Sequence, residues 1–124
     1  MLRVIVGGQM EKQRIADLVK KLGGEGVSVQ VKSDIEAAML IKRGEADYYL
    51  GCCATGGGGS LAGAIAILGY GRCVSVSMPG IAPEKNKVEQ AVNEGKQAFG
   101  FTDNHVDAAV GMIMEAISNR QSAQ

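Results

Sequence analysis

The sequence predicts a single α/β domain of three layers, in which a five-stranded parallel sheet lies between helices on both faces. Apolar runs typical of strands alternate five times with apolar residues at helical spacing. Such alternation favours a parallel sheet connected by right-handed crossovers. A length of 124 residues suits one hydrophobic core, so we expect residues 1–124 to form one domain with a frayed tail over residues 118–124.

The first strand and helix lie at the amino terminus. Strand one runs from Leu2 to Val6 and ends at Gly7-Gly8-Gln9. The helix that follows is expected to end at Gly23-Gly24. Its predicted apolar face comprises Ile15, Leu18, Val19 and Leu22.

The second strand and helix follow directly. Valines alternate with polar residues from Val27 to Val31, which favours a half-exposed strand at an edge of the sheet. Ser33 and Glu36 have the spacing of a capping box, which starts the next helix. That helix is expected to end at Gly44 and to bury Ile35, Ala38, Met39 and the stem of Lys42.

The central stretch joins a short apolar strand to four consecutive glycines. Strand three ends at Cys52-Cys53, and an apolar helix follows over residues 61–68. Glycine loses more conformational freedom on folding than other residues, so we expect such a run where backbone amides approach a ligand. Amides at a helix start lack helical partners and favour anions. The predicted anion site, with a flexible turn as the alternative, comprises Thr55, Gly56, Gly57, Gly58, Gly59 and Ser60.

Two further strands and helices complete the predicted sheet. Strand four spans Cys73 to Met78 and ends at Pro79-Gly80, and Pro83 suits the first turn of the next helix. That helix is expected to bury Val88, Ala91 and Val92. Strand five spans Ala98 to Phe101, and Thr102 is expected to cap the last helix. The predicted buried residues of the last helix are Val106, Ala109, Val110, Ile113 and Ile117.

These elements together are typical of a Rossmann-like or flavodoxin-like domain, for which we predict the strand order 2-1-3-4-5. Sheets of this kind bind ligands beyond the carboxyl ends of their strands, near the point where the strand order reverses. In the predicted order, the reversal falls between strands one and three. The loops at that edge add five predicted ligand-binding residues, which are Gly8, Gln9, Ser33, Pro79 and Gly80.

Composition limits the partners and the location that we expect. A formal net charge of zero provides no basic surface for nucleic acid, and no apolar run is long enough to span a membrane. The first residues lack the features of a signal peptide, and three cysteines without repeated spacing suit a reducing compartment. We therefore expect a cytoplasmic protein that binds neither nucleic acid nor a membrane. No metal ion and no cofactor are predicted, since the chain has no close-spaced set of ligands.

Five further side chains have expected roles. His105 lies near the start of the last helix, where it is a candidate proton shuttle or hydrogen-bond donor, with an exposed turn residue as the equal alternative. Cys52 and Cys73 are expected to be small buried hydrophobes. Tyr49, like its neighbour Tyr48, is expected to pack within the sheet.

The third helix has no polar face. A helix that is apolar all round is expected to be buried, either beneath the partner layer of the sheet or in an interface between two copies of the chain. A single small sheet leaves much of this apolar surface uncovered. We therefore predict a homodimer.

Five segments of this sequence are shared with a known family. They are Val6-Gly7-Gly8-Gln9, Lys32-Ser33-Asp34-Ile35-Glu36-Ala37-Ala38, Ala46-Asp47-Tyr48-Tyr49-Leu50-Gly51, Thr55-Gly56-Gly57-Gly58-Gly59 and Val76-Ser77-Met78-Pro79-Gly80. In these segments the chain resembles the YhfU-like family of short bacterial proteins of unknown function. The resemblance covers nearly the whole chain, but it implies no biochemical activity.

A second resemblance is confined to the central loop. The pattern from Cys53 to Ser60 is similar to the loop after strand three in the ribose-5-phosphate isomerase B and galactose-6-phosphate isomerase family. The resemblance implies that Cys53 is the acid/base, that the amides of Gly56 to Ser60 hold an oxyanion, and that Thr55 positions the substrate. A thiolate at a helix amino terminus is stabilised, which suits this role. The chain departs from that family at Gly8-Gln9-Met10, where the family has an Asp-His pair, and at Met78-Pro79-Gly80, where it has a histidine that opens the sugar ring. The arginines with which that family binds phosphate are also absent from the predicted ligand-side loops.

Two classes of function remain open from the sequence. The first is the binding of a small anionic metabolite, phosphorylated or carboxylated, at the glycine-rich loop. The second is chemistry at Cys53, either as a sugar-phosphate isomerase-like enzyme or as a phosphocysteine carrier of the sugar-transport IIB kind. In carriers of that kind, however, the cysteine follows strand one, where this chain has none.

Overall fold

The computed structural model of the chain describes residues 1–54 and 58–123. Within them, five strands form one parallel sheet with helices on both faces, which confirms the predicted fold class. The elements in chain order are β1 Leu2–Gly8, α1 Lys12–Gly23, β2 Val27–Val31, α2 Asp34–Lys42, β3 Tyr48–Cys53, α3 Gly58–Leu68, β4 Cys73–Ser75, α4 Lys85–Asn93, β5 Ala98–Thr102 and α5 Val106–Ala123. In this part of the chain, no helix is both long enough and apolar enough to cross a membrane.

The strand order is 2-1-3-5-4, so the predicted order 2-1-3-4-5 is wrong at its last two positions. β5 lies inside the sheet, where both of its faces are covered, and all five of its residues are buried. β4 is only three residues long and half-buried, as suits an edge. Polar Ser75 and Ser77 alternate with valines in this segment, whereas Phe99 and Phe101 are fully buried. The edge prediction for β2 is confirmed.

Two hydrophobic cores lie on opposite faces of the sheet. The larger core packs α1, α4 and α5 against one face, where the rings of Tyr48 and Phe99 lie 6.2 Å apart. The smaller core packs α2 and α3 against the other face, around Tyr49. Because side chains alternate along a strand, neighbouring residues of β3 belong to different cores. The candidate site lies at one end of the smaller core.

The buried faces of the helices follow the predicted spacing with exceptions. The predicted core residues of α4 and α5 are buried, and so are Ile15 and Val19 of α1. Leu22, in the last turn of α1, is exposed, which corrects the prediction. In α2 the predicted Ile35 and Met39 are exposed, because Ala37, Ala38 and Ile41 form the stripe that packs inward. The capping residue Ser33 and the terminator Gly44, with φ 75°, are confirmed.

The carboxyl-terminal helix extends further than the sequence predicts. α5 continues to Ala123, whereas we expected the chain to fray from Ser118. Its last turns are held by Arg120, whose Nη1 donates a hydrogen bond to the carbonyl oxygen of Val92 at 2.6 Å. The contact ties the end of α5 to the end of α4 and explains the continued helix.

Candidate functional site

The carboxyl ends of the three inner strands meet at one edge of the sheet. Gly8 of β1 pairs with Cys52, and Cys53 pairs with Thr102 of β5. The chain beyond β4 continues along β5, since the amide of Val76 donates to the carbonyl oxygen of Gly100 at 2.8 Å. The strand order still reverses between β1 and β3. The exchange of β4 and β5 therefore does not remove the reversal on which the expected position of the site is based.

A row of glycines crosses the sheet just before this edge. Gly7, Gly51 and Gly100 are paired in register across β1, β3 and β5. A Cβ atom at Gly7 would lie 2.7 Å from Cε2 of Tyr49, and one at Gly51 would lie 2.5 Å from its hydroxyl oxygen. Both distances are too short for any side chain. The two glycines therefore make room for the Tyr49 ring to extend along the sheet towards the edge.

The hydroxyl of Tyr49 reaches the start of α2. It donates a hydrogen bond to Oδ1 of Asp34 at 2.7 Å, and the amide of Gly8 donates to the same oxygen at 2.5 Å. Burial raises the pKa of Tyr49, and the hydrogen bond to Asp34 and its negative charge add to this. The phenol therefore remains protonated, and it acts as a donor to the carboxylate.

Sequence reasoning missed this pair. Tyr49 was expected only to pack within the sheet, and the neighbouring Ser33, not Asp34, was selected as ligand-binding. Two signals were present in the sequence: Gly51 lies two residues after Tyr49 on the same strand, and the acidic Asp34 opens α2 shortly after β2 ends. Neither signal indicates the contact by itself, because the two residues lie on different elements.

The turn after β1 lies against the end of β3. Gly8 has φ 84°, and a Cβ there would lie 2.5 Å from the amide nitrogen of Cys52, so this position requires glycine. The amides of Gln9 and Met10 both donate to the carbonyl oxygen of Cys52, at 2.9 and 3.2 Å. The amides of Gly8 and Gln9 are thus engaged within the protein. What this turn offers a ligand is the exposed side chain of Gln9.

Ser33 is exposed at the same edge, but its hydroxyl is committed to the helix cap. It accepts a hydrogen bond from the amide of Glu36 at 3.2 Å and lies 3.1 Å from Oε1 of the Glu36 side chain. The Ser33 half of the predicted capping box is confirmed, whereas the Glu36 carboxylate accepts from the Ser33 hydroxyl and not from the Ser33 backbone amide.

The two adjacent cysteines lie on opposite faces of β3. Cys52 belongs to the larger core, and burial raises its pKa to about 12, so it remains a neutral thiol. Burial likewise raises the pKa of Cys73, and both residues are buried as predicted. Cys53 is the last residue of β3 and is 1% exposed. Any reaction at Cys53 therefore requires the segment around it to admit the reactant.

A chain of two hydroxyls and an imidazole lies beside Cys53. The hydroxyl oxygens of Ser77 and Thr102 are 3.1 Å apart, and Oγ1 of Thr102 is 2.9 Å from Nδ1 of His105. Thr102 does not cap α5 with its side chain, which corrects the prediction. The reason is that a short 3-10 turn, Asp103–His105, precedes the helix and brings the imidazole onto the threonine hydroxyl.

Pro79 and Gly80 form an exposed turn next to this chain. The amides and carbonyls of Met78 and Ile81 pair across the turn, at 2.9 and 3.0 Å. Nδ2 of Asn104 donates to the carbonyl oxygen of Pro79 at 3.1 Å, which anchors the turn beside His105. The predicted residues Pro79, Gly80 and His105 are therefore brought together.

The centre of the predicted anion site is only partly described. Thr55, Gly56 and Gly57 lie outside the described residues. Gly58, Gly59 and Ser60 form the start of α3. The role of these six residues stays a prediction.

A separate polar cluster lies at the opposite, amino-terminal edge of the sheet. The backbone amide and the guanidinium of Arg3 donate to the carboxylate of Asp47 at 2.8 to 3.2 Å. Burial opposes ionisation of Asp47, but the hydrogen bonds from Arg3 outweigh it and lower the pKa. A shallow groove of about 610 Å³ lies here, lined in part by Asp47, Gln97 and Arg120. We assign this cluster a structural role, because Arg3 and Asp47 already neutralise each other and tie β1 to β3.

Among residues 1–54 and 58–123, no group of three or more histidine, cysteine or acidic side chains is arranged to hold a metal ion.

Comparison with known proteins identifies similar sequences. The family described as "Protein of unknown function DUF2620" matches residues 2–117. The uncharacterized protein YhfU of Escherichia coli strain K12 is 34% identical over 114 residues, which cover 92% of this chain and 97% of that protein. YhfU of Shigella flexneri gives the same values. These matches confirm the resemblance to the YhfU-like family, and they give no support to the isomerase resemblance.

Proposed function

The chain belongs to DUF2620, a family of proteins of unknown function, and we propose that it binds a small anionic metabolite at the glycine-rich loop between β3 and α3. The ligand carries a phosphate or a carboxylate. The observation that carries the proposal is the position of Gly58, the first residue of α3, shortly after the central strand and beside the reversal of strand order. Amides at a helix start have no helical acceptor, and the helix dipole favours an anion there.

The charges and donors around this edge support an anionic ligand. Lys12 opens α1, and its Nζ donates to the carbonyl oxygen of Lys32 at the end of β2, at 3.4 Å. This contact brings two lysines to the edge where β1 and β2 end, a feature that sequence reasoning missed. The exposed Gln9 side chain and the partly exposed His105 add neutral donors. The carboxylate of Asp34 is engaged by Tyr49 and Gly8, which weakens its repulsion of an anion.

The proposal is tested with inorganic phosphate as the probe. Phosphate is expected to raise the midpoint of thermal unfolding, since a ligand at 100 times its Kd stabilises the folded state by about 2.7 kcal/mol. Gly58→Pro removes one amide at a helical position that tolerates proline, so phosphate binding should weaken about tenfold while the helix persists. Lys85→Pro is the matched control, because Lys85 opens α4. Equal phosphate affinity in both variants would contradict the proposal.

A second candidate function is sugar-phosphate isomerase-like chemistry with Cys53 as the acid/base. One observation favours it: Cys53 is the register partner of Thr102, whose hydroxyl contacts His105, so a thiol and an imidazole share one neighbour. Iodoacetamide labelling near neutral pH separates the two functions. Rapid labelling of Cys53 that phosphate blocks supports chemistry at the thiol, including a phosphocysteine carrier. Slow labelling together with a phosphate-induced thermal shift supports binding alone.

We further propose that the chain forms a homodimer through α2 and α3. Leu61, Ala64 and Leu68 face the sheet, but Ala62 and Ala66 on the other side of α3 are exposed. Ile35 of α2 is 56% exposed, and its Cδ1 lies 3.0 Å from the Cβ position of Gly63, so the two helices form one apolar surface. A second copy of the chain would cover this surface. Cys52, Cys53 and Cys73 are buried thiols and not disulfides, which suits a reducing compartment, and we infer a cytoplasmic location from this.

A further inference from the structure

Ser77, Thr102 and His105 form a hydrogen-bonded chain whose donor directions can be worked out. The amide of Thr102 donates to Oγ of Ser77 at 3.0 Å, so the serine oxygen is an acceptor in that bond. Ser77 is 2% exposed and Thr102 is fully buried. A buried hydroxyl requires a partner for its hydrogen as well as for its oxygen.

The Ser77 hydrogen has one side-chain acceptor within the described part of the chain, which is Oγ1 of Thr102 at 3.1 Å. If Ser77 donates to Thr102, the Thr102 hydrogen is directed to Nδ1 of His105 at 2.9 Å. The two hydroxyl bonds then run in one direction, from serine to threonine to imidazole, and each hydroxyl hydrogen has an acceptor. Nδ1 is the acceptor at the end of the chain.

The reverse direction leaves a hydrogen without a partner. If Nδ1–H of His105 donated to Thr102, the Thr102 hydroxyl would donate to Ser77. The Ser77 hydrogen would then be buried without an acceptor among the described residues. Leaving a buried donor unsatisfied is unfavourable, so the first direction prevails.

We propose that Ser77 and Thr102 are positioning residues that hold His105 as its Nε2–H tautomer, so that the imidazole presents a fixed hydrogen-bond donor to a bound anion. When Nδ1 accepts a hydrogen bond, the proton of the neutral ring is on Nε2. Nε2 lies on the side of the ring away from Thr102, and the residue is partly exposed. The role as a donor to the ligand rests on the proposed function, whereas the tautomer does not. In this arrangement His105 is a donor and is not a general base.

The tautomer is measured by long-range proton–nitrogen correlation on uniformly ¹⁵N-labelled protein. The chain contains one histidine, so the imidazole signals are assigned without ambiguity. At about pH 8.5, where a free imidazole is neutral, we expect an unprotonated shift at Nδ1 and a protonated shift at Nε2. The opposite pattern, or the averaged shifts of free histidine, would overturn the assignment.

Variants test the positioning role. Thr102→Val removes the hydroxyl with little change of shape, and it should move the imidazole shifts towards those of a mixture of tautomers. Thr102→Ser keeps the hydroxyl and should retain the wild-type pattern, and Ser77→Ala should weaken the preference. Ser118→Ala, at an exposed position of α5, is the control. If T102V and S77A both showed the wild-type pattern of imidazole shifts, the positioning role would be overturned. If T102V does not fold, the spectrum of the wild-type protein still decides the tautomer assignment, and S77A still tests the positioning role.

Phosphate titration tests the ligand part separately. T102V should bind phosphate about twofold more weakly than wild type, because only part of its imidazole population then presents Nε2–H, and T102S should bind it normally. Equal affinity for phosphate in T102V and wild type would overturn the donor role. If wild type shows the Nε2–H form but binds no phosphate, the donor role and the proposed function both fail while the tautomer assignment stands.

Discussion

At the scale of single residues, Asp34 connects three parts of the carboxyl edge. Its Oδ1 accepts from the hydroxyl of Tyr49 in β3 and from the amide of Gly8 at the end of β1. Hydrogen bonds to a charged group are stronger than those between neutral groups. The start of α2 is thereby tied to both central strands, next to the loop where we propose that the anion binds.

Removal of the Tyr49 hydroxyl should therefore destabilise the fold. Tyr49→Phe leaves Oδ1 of Asp34 with the Gly8 amide alone, and we expect a loss of about 1.5 to 3 kcal/mol in the free energy of unfolding. Urea unfolding followed by circular dichroism measures this value. Tyr70→Phe is the control, because Tyr70 is 78% exposed. A Tyr49→Phe variant as stable as the Tyr70→Phe variant would show that the hydroxyl contributes nothing.

The sequence could not reveal this contact, although it revealed others. The Ser33 cap depends on residues three apart, so local spacing was sufficient to predict it. The bond between Tyr49 and Asp34 joins two elements whose relative position is set by packing. Thr102 was expected to cap a helix, but its hydroxyl contacts His105. The periodicity of apolar residues does not indicate the short turn that places His105 there.

At the scale of elements, β3 is the strand that organises the site. It is buried along its whole length, and Gly51 within it provides the space that the Tyr49 ring occupies. The ring is held at its far end by Asp34, so it cannot move aside easily. The glycine is therefore required by the tyrosine, not by the backbone conformation.

Gly51→Ala should consequently destabilise the protein. The added methyl group would lie 2.5 Å from the Tyr49 hydroxyl oxygen, and overpacking of this kind costs about 1 to 3 kcal/mol. Chemical denaturation measures the change. The matched substitution is Gly71→Ala, where a Cβ has open space and the change should stay within about 0.5 kcal/mol. If the two alanine variants unfold at the same denaturant concentration, the close packing of Tyr49 on Gly51 is wrong.

The elements along the chain were predictable from the sequence, but the order of the strands in the sheet was predictable only in part. Five strands and five helices were located from periodicity, and the strand order 2-1-3 was correct. The positions of β4 and β5 were exchanged, because the prediction assumed that consecutive strands pair. A difference in composition was present in the sequence, since β5 carries Phe99 and Phe101, which are fully buried, whereas β4 is a short strand that ends at the polar Ser75.

At the scale of the whole molecule, the two edges of the sheet differ in chemistry. The amino-terminal edge carries the Arg3–Asp47 ion pair, in which both charges are compensated. The carboxyl edge carries the start of α3, the Ser77–Thr102–His105 chain and the Lys12–Lys32 contact. The carboxyl edge is therefore the one where we propose that an anion binds.

That apolar surface gives a prediction about assembly. Light scattering at micromolar concentration should give a mass near twice the 12.9 kDa of one chain. Ala66→Glu places a charge on the exposed side of α3 and should yield monomers, because burying an unpaired carboxylate is unfavourable. Ala108→Glu on α5 is the control and should remain dimeric. A monomeric wild-type protein would contradict the proposed dimer.

The central claim, that an anion binds where β3 leads into α3, is tested most directly by mapping amide chemical shifts during titration with inorganic phosphate. The claim predicts saturable shifts confined to Thr55 to Ser60 and their neighbours at the carboxyl edge, with Gln9 and His105 among them. Shifts centred on Asp47, Gln97 and Arg120 at the opposite edge, or no saturable shift, would contradict it.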